Sequence, residues 1–190
     1  MKNSVELISL IMKFKKLNIF KLPILKKDGV FVNLFKRNPK SIIIFITLIL
    51  FTIVLIKTAW VSDDAYITFR TVDNFVNGYG LNWNINERVQ TYTNTMWMFV
   101  ISIAYYFTHE AYFTSILVSI LISLAAIILF VSKIPQSLFS KITGVSILIL
   151  SKAFTDFSTS GLENPLSHLI VVIFCIVYFY FQAGQRQLFY

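Results

Sequence analysis

Read for hydrophobic and polar positions alone, the chain is a series of apolar runs separated by shorter polar stretches. Ser41 to Trp60 is dominated by Ile, Leu, Phe, Val and Thr over about the ~20 residues that a helix needs to cross a bilayer. Lys57 lies near its far end and Trp60 suits a membrane interface. Ala111 to Ser132 and Asn164 to Gly184 contain no Asp, Glu, Lys or Arg and predict two further spans. Ile142 to Thr155 is shorter and holds Lys152, a cation able to snorkel from a helix end. Met96 to Phe107 offers only twelve strongly apolar residues, a length that suits an embedded or interfacial helix better than a crossing one.

The polar stretch between the first span and Met96 has its own periodicity. Ser62 is a suitable N-cap, Asp63 and Asp64 fall in a first turn, and Tyr66, Phe69, Val72 and Val76 follow at helical spacing until Gly78. Those four apolar positions predict a face lying on the membrane, with Arg70 and Asp73 turned elsewhere. Asn77-Gly78-Tyr79-Gly80-Leu81-Asn82-Trp83-Asn84 reads as turns, because Asn and Gly tolerate left-handed backbone. Asn86-Glu87-Arg88-Val89 and Tyr92-Thr93 then lead into the embedded stretch.

Composition agrees with a membrane. Of 190 residues, 56% are hydrophobic and 14% charged, where a soluble domain carries roughly 25% charge. With 19 Phe, 9 Tyr and 3 Trp, the chain has too much apolar surface for a disordered segment. The single Cys175 excludes an internal disulfide framework and any multi-cysteine zinc cluster. The net charge of +8 would suit nucleic acid, but its placement points elsewhere: residues 1–40 hold ten Lys and Arg against Glu6 and Asp28. That basic head predicts a cytoplasmic flank lying on anionic lipid and sets the first span N-terminus inside. Its first apolar run is short, contains Glu6 and lacks a small-residue cleavage site, so no cleaved signal peptide is expected.

Charge also arbitrates the embedded stretch. If Met96 to Phe107 only embeds from the outer side, the loop with Lys133 and Lys141 is cytoplasmic and the loop with Asp156 and Glu163 is exoplasmic, as the positive-inside rule prefers. The expected fold is an all-α polytopic membrane protein with about four transmembrane helices and juxtamembrane helices in the first outer loop. Its organisation is a basic cytoplasmic or interfacial head at 1–40, a first span at 41–60, an exoplasmic loop at 61–110 and three further spans at 111–190.

Four strings in this frame belong together: Asp63-Asp64-Ala65-Tyr66-Ile67-Thr68-Phe69-Arg70, Asn77-Gly78-Tyr79-Gly80-Leu81, Glu87-Arg88-Val89, and Tyr92-Thr93 before Trp97. They resemble the first exoplasmic loop of bacterial GT-C membrane glycosyltransferases, in the arabinofuranosyltransferase-like branch. Ser160-Gly161-Leu162-Glu163-Asn164-Pro165-Leu166 is similar to a further segment of that family, with Asn164 in place of its usual Thr. The resemblance covers about residues 41–185. It implies a GT-C-like enzyme of the bacterial cytoplasmic membrane that takes a sugar from a polyprenyl-phosphate-linked donor. The acceptor is then a cell-envelope glycan or glycolipid on the outer side. It also implies a catalytic base at the acid opening the first juxtamembrane helix, which maps to Asp63 or Asp64.

The chemistry fits one base. A polyprenyl-phosphate is an activated leaving group, so the enzyme must deprotonate an acceptor hydroxyl and hold it in line, which general-base catalysis accelerates by roughly 10²–10⁴-fold. A retaining mechanism wants a second, separated carboxylate, and neighbours on a helix diverge by about 100°, so inversion is expected. Asp63 matches the first acid of the motif and is preferred to Asp64. Either acid equally serves a plain helix start.

Candidate substrate-binding residues are Arg70, Trp83, Glu87, Arg88, Glu163 and His168. Arg70 suits the donor phosphate, or else pairs with Asp73 three residues on. Glu87 and Arg88 are site groups or a loop ion pair, and Trp83 is the loop aromatic available for sugar stacking. Glu163 is a candidate for acceptor or divalent-cation binding, or an acid in the first turn of a helix containing Pro165. His168, an ionisable group inside a span, is a candidate or an interhelical hydrogen-bond partner. Tyr92, Trp97, Tyr105 and Tyr106 read as interfacial aromatics. His109 and Glu110 lack a second His at helical ligand spacing, and no nucleotide loop or nucleic-acid strip is present. Expected partners are the bilayer, the lipid-linked donor and the acceptor. Four spans and one loop supply one wall of such a pocket, so the chain is expected to be an N-terminal portion of the enzyme. The rival reading is a non-catalytic four-span remnant or accessory subunit.

Overall fold

The computed structural model describes residues 39–87, 89, 91–134 and 137–186. The basic head, apart from its last two residues, and Arg88 lie outside these residues. The chain divides into two compact units, 1–45 and 46–190; of the first, only the start of one helix is described. Seven helices and no strands occur among the described residues. They are α1 (Pro39–Lys57), α2 (Asp63–Val76), α3 (Thr95–Thr108), α4 (Tyr112–Lys133), α5 (Leu138–Leu150), α6 (Lys152–Phe157) and α7 (Asn164–Arg186).

Among them, α4 alone is long and apolar enough to cross a membrane. Ser41–Lys57, Thr95–Thr108, Leu138–Leu150 and Asn164–Tyr180 are shorter apolar helical stretches. The run expected to form one span from Ile142 to Thr155 is broken. Ser151 adopts an extended backbone, closing α5, and its hydroxyl accepts from the Phe154 N–H to open α6. A local side-chain cap here wins over apolar continuity.

Helix starts are fixed by polar groups. Glu110 accepts from the N–H groups of Tyr112, Phe113 and Thr114, so it caps α4, a role its sequence neighbourhood did not reveal. Ser137 accepts from the Ser140 N–H at the start of α5. At the other end of α2, Asn77 is the C-cap and Gly78 takes a φ of 83°, a left-handed stop that glycine permits at low cost.

Two packings organise the unit. Ala65, Phe69 and Val72 of α2 are buried with Trp97, Met98, Ile101 and Tyr105 of α3. This corrects the expected membrane face: Phe69 and Val72 point into the protein, and only Tyr66 of the four is largely exposed. It also corrects two expected interfacial aromatics, since Trp97 and Tyr105 belong to the core. The apolar exterior of this pair is instead on α3, where Met96, Phe99, Ile103 and Phe107 remain open. The second packing sets α4 along α7. The buried face of α4 carries Ser115, Ser119, Ser123 and Ala126, small residues that let apolar helices approach closely.

Between the packings runs a buried loop. Ser158, Thr159 and Ser160 are fully enclosed, the Ser160 carbonyl accepts from the Ser62 N–H at 2.9 Å, and the Gly161 carbonyl accepts from the Trp97 indole N–H at 2.7 Å. Gly161 has a φ of 78°, and a Cβ there would lie 2.8 Å from the Ala65 Cβ. Trp60 extends the same joint, its indole N–H donating to the Asp156 carbonyl at 2.9 Å. The segment from Asp156 to Glu163 is thereby held against the start of α2.

Gly161→Ala should lower stability by more than the about 1–3 kcal/mol of a left-handed non-glycine residue, because it adds a clash. Gly78→Ala, at φ 83° but in open space, should show the backbone cost alone. Thermal unfolding of both variants in detergent checks this, and equal losses would mean that the close approach at Gly161 is unimportant.

Candidate active site

The site grows from one polar stripe on α2. Asp64, Thr68, Thr71 and Asn74 recur at intervals of four, three and three, which places them along one side of a helix. The last three are buried and tie down the chain that returns from Gly78 to α3. The Asn74 amide donates to the carbonyls of Asn82 (2.8 Å) and Trp83 (2.9 Å). The Thr71 hydroxyl lies 2.6 Å from that of Thr91. The Thr68 hydroxyl donates to Asn94 Oδ1 at 3.5 Å. The loop thus runs antiparallel to α2, one anchor per turn, and delivers Asn94 beside the helix start.

Asn94 then reaches the second motif. Its Nδ2 donates to Glu163 Oε2 at 2.8 Å, joining residues 69 positions apart. Glu163 stands just before α7, and its carbonyl accepts from the Ser167 N–H. Its carboxylate is turned to Asn94 and not to the helix amides, so it is not an ordinary first-turn acid. Nothing in the sequence marked Asn94, whose partner is far away in the chain; Thr68, Thr71 and Asn74 were readable as a stripe but were not singled out.

The two aspartates differ in what they do. Asp63 Oδ1 accepts from the Ser62 hydroxyl (3.2 Å) and from the Asp64 N–H (3.1 Å), a local knot at the helix start. The Asp64 carboxylate is exposed, makes no hydrogen bond or ion pair among the described residues, and shares the side of α2 that carries Thr68. Asp63 sits about 100° round the helix, on the side of Ile67 and Arg70. Arg70 is exposed and does not pair with Asp73, whose Oδ1 is taken by the Tyr105 hydroxyl (2.7 Å) and the Asn77 amide (2.8 Å).

The remaining candidates lie apart from this cluster. Trp83 is half-buried, with its carbonyl held by Asn74. Glu87 is exposed and accepts from the Asn84 amide at 2.9 Å, while Arg88 lies outside the described residues. His168 packs its ring on Phe154, with centroids 4.5 Å apart, and its buried Nδ1 makes no hydrogen bond among the described residues. No group of three His, Cys, Asp or Glu side chains able to hold a metal ion is found among the described residues.

Through Asn94 the polar stripe of α2 and the distant Glu163 are joined, with Asp64 and Arg70 exposed and without a hydrogen bond or ion pair among the described residues. Over 123 residues the chain is 32% identical to the terminal beta-(1->2)-arabinofuranosyltransferase of Corynebacterium glutamicum. The match covers 60% of this chain and 18% of that protein, so the chain spans less than a fifth of the length of this relative. The similarity supports a glycosyltransferase role at the coarse level. No family model matches the chain, and no solved structure does.

At the far end of α2, the hydrogen bond from Tyr105 to Asp73, with burial and the nearby carboxylate charges, pushes the phenol from its ordinary 10 up to about 12. The folded state therefore holds this proton more tightly than the unfolded state. Its contribution to stability is complete below pH 10 and is lost as pH rises from 10 to about 12. Tyrosinate absorbance, taken as the difference between the protein and its Tyr105→Phe variant, should titrate near 12 and move back toward 10 in Asp73→Asn. A Tyr105 signal at 10 in the parent would refute the bond.

Proposed function

We propose that the chain is part of a GT-C type glycosyltransferase, multi-pass in the bacterial cytoplasmic membrane with its N-terminus cytoplasmic. It serves to move a sugar, with inversion, from a polyprenyl-phosphate donor to a hydroxyl of an envelope glycan or glycolipid on the outer side. The observation that carries this reading is the bond from Asn94 to Glu163, which brings the Asp63-to-Thr93 loop and the Ser160-to-Leu166 segment into one place. Both segments stand in the resemblance, and a common site gives each a reason to be there.

The geometry favours Asp64 as the base. A general base needs a free lone pair within reach of the hydroxyl. Both oxygens of Asp64 are without a partner among the described residues and share the side of α2 that carries Thr68, the residue bonded to Asn94, whereas Asp63 Oδ1 is held by two local donors and leaves only Oδ2. Glu163 and Asn94 present an acceptor and an amide suited to sugar hydroxyls. Arg70, six residues on, stands about 9 Å further along the axis at 1.5 Å per residue. A guanidinium there suits the donor phosphate. The roles at the leaving oxygen stay with the substrate: the phosphate departs as a weak base and needs charge compensation more than a proton.

The membrane part of the reading draws on α4 and on exposed apolar faces beside it. Ile46, Ile49, Ile53 and Ile56 of α1 and Phe113, Leu117 and Leu121 of α4 recur at helical spacing and are exposed. An apolar exterior of this extent suits lipid.

Two measurements test the proposal. In the complete protein, Asp64→Asn should reduce transfer by about 10²–10⁴-fold with insertion intact, because the amide keeps the shape and loses the basicity. Full activity in Asp64→Asn together with loss in Asp63→Asn would return the base to Asp63; full activity in both would remove the base from this turn. For orientation, in a Cys175→Ser background, Asn86→Cys should react with an impermeant thiol reagent in intact cells and Ser137→Cys should not. Both sites are exposed, so the reverse pattern would invert the topology.

A further inference from the structure

We propose that Asn94 is a positioning residue: it fixes the Glu163 carboxylate beside the Asp64 side of α2 and leaves one carboxylate oxygen for a bound sugar hydroxyl. The inference rests on the glycosyltransferase reading for its purpose, but not for its geometry.

Asn94 occupies the position before α3, where an Asn side chain normally caps the first turn. It makes no such bond; its backbone is φ −114°, ψ 64°, and only its carbonyl serves the helix, accepting from the Met98 N–H at 3.0 Å. Glu163 behaves alike before α7, its carbonyl serving Ser167 and its side chain turned away. Asn94, a favoured capping residue, therefore gives up its local bond, and its side chain meets that of Glu163 instead. A local preference overridden for one long-range contact points to that contact as the feature being specified.

The amide is suited to holding a carboxylate without neutralising it. Asn94 Nδ2 holds Glu163 Oε2 at 2.8 Å, and Asn94 Oδ1 is turned to the Thr68 hydroxyl in a long contact of 3.5 Å, so each end of the amide has a polar partner. Glu163 Oε1 has no partner among the described residues. Charged groups on neighbouring parts of the chain include Asp63, Asp64, Arg70 and Asp73 on α2, Lys152 and Asp156 on α6, and the titratable His168 on α7. None of them bonds to Glu163. A lysine or arginine in place of Asn94 would bind both oxygens or cancel the charge; an amide orients one oxygen and leaves the other.

The experiment uses the whole chain in lipid nanodiscs with ¹⁵N-labelled Asn side chains. The Asn94 side-chain amide, assigned by its loss in Asn94→Leu, should show one proton shifted downfield relative to the exposed Asn86 amide. Glu163→Gln should remove most of that shift with little change in thermal midpoint, and Asp63→Asn should leave it unchanged. In the variant Asn94→Asp, which keeps the shape and adds like charge, ¹³C-labelled Glu163 should shift while Glu87 and Glu110 stay in place. An Asn94 amide that resembles Asn86, or one unaffected by Glu163→Gln, would overturn the proposal. Because neither signal depends on sugar transfer, a chain that transfers nothing leaves this test intact, and a failed test here leaves the base assignment standing.

Discussion

The indole N–H of Trp97 and the carbonyl of Gly161 meet at 2.7 Å where water does not reach, and the rest of the site hangs from that contact. A buried carbonyl without a donor costs about 1–3 kcal/mol, so the pairing is enforced in both directions. Trp97 is fixed by α3, which packs on α2, and Gly161 is fixed by its approach to Ala65 of α2. Three segments separated in sequence thus close on one turn of helix. Only a residue without Cβ fits at 161, since the left-handed backbone and the 2.8 Å approach demand it together.

Around that joint, polar groups do the ordering that apolar contacts do elsewhere. The α4 and α7 packing relies on small side chains and close approach, which tolerate sliding. The described residues from Gly78 to Asn94 form no helix or strand, and they are held by the anchors Asn74, Thr71 and Thr68. Buried amides and hydroxyls accept few alternative arrangements, because each displaced one is left unsatisfied. A loop that must present two side chains at defined places is better held this way than by hydrophobic burial alone.

The sequence announced the helices well and their contacts poorly. Apolar runs located α1, α3, α4 and α7 to within a few residues, because length and periodicity are local properties. The break at Ser151 was missed because a single hydroxyl cap outweighs a continuing apolar run. The face of α2 was misassigned for a related reason: Phe69 and Val72 look the same to lipid and to a protein core, and only the partner helix decides. Asp63, Asp64 and Glu163 were legible as candidates through their motifs, but the joining of Glu163 to α2 depends on Asn94 and Thr68. Those are ordinary polar residues whose meaning lies 26 and 69 positions away.

The level of the site along the helices follows from the same contacts. Trp60, three residues past α1 and two before Ser62, donates to the Asp156 carbonyl and sets its ring edge-on to Phe157, the last residue of α6 before the loop that leads to Glu163. On the reading proposed above, indoles of this kind sit at the headgroup layer, with their rings in apolar surroundings and their N–H groups in polar ones. The same reading puts Asp64 and Glu163 beyond that layer and the exposed apolar residues of α3 and α4 within it or below. A donor with an isoprenoid chain and a sugar phosphate divides at the same boundary. A base placed higher would lose the lipid-held donor, and one placed lower would have to carry its charge into hydrocarbon. On that reading α2, joined to the rest of the unit through Gly161 and through α3 with Trp97, is the element that keeps the carboxylate between those limits.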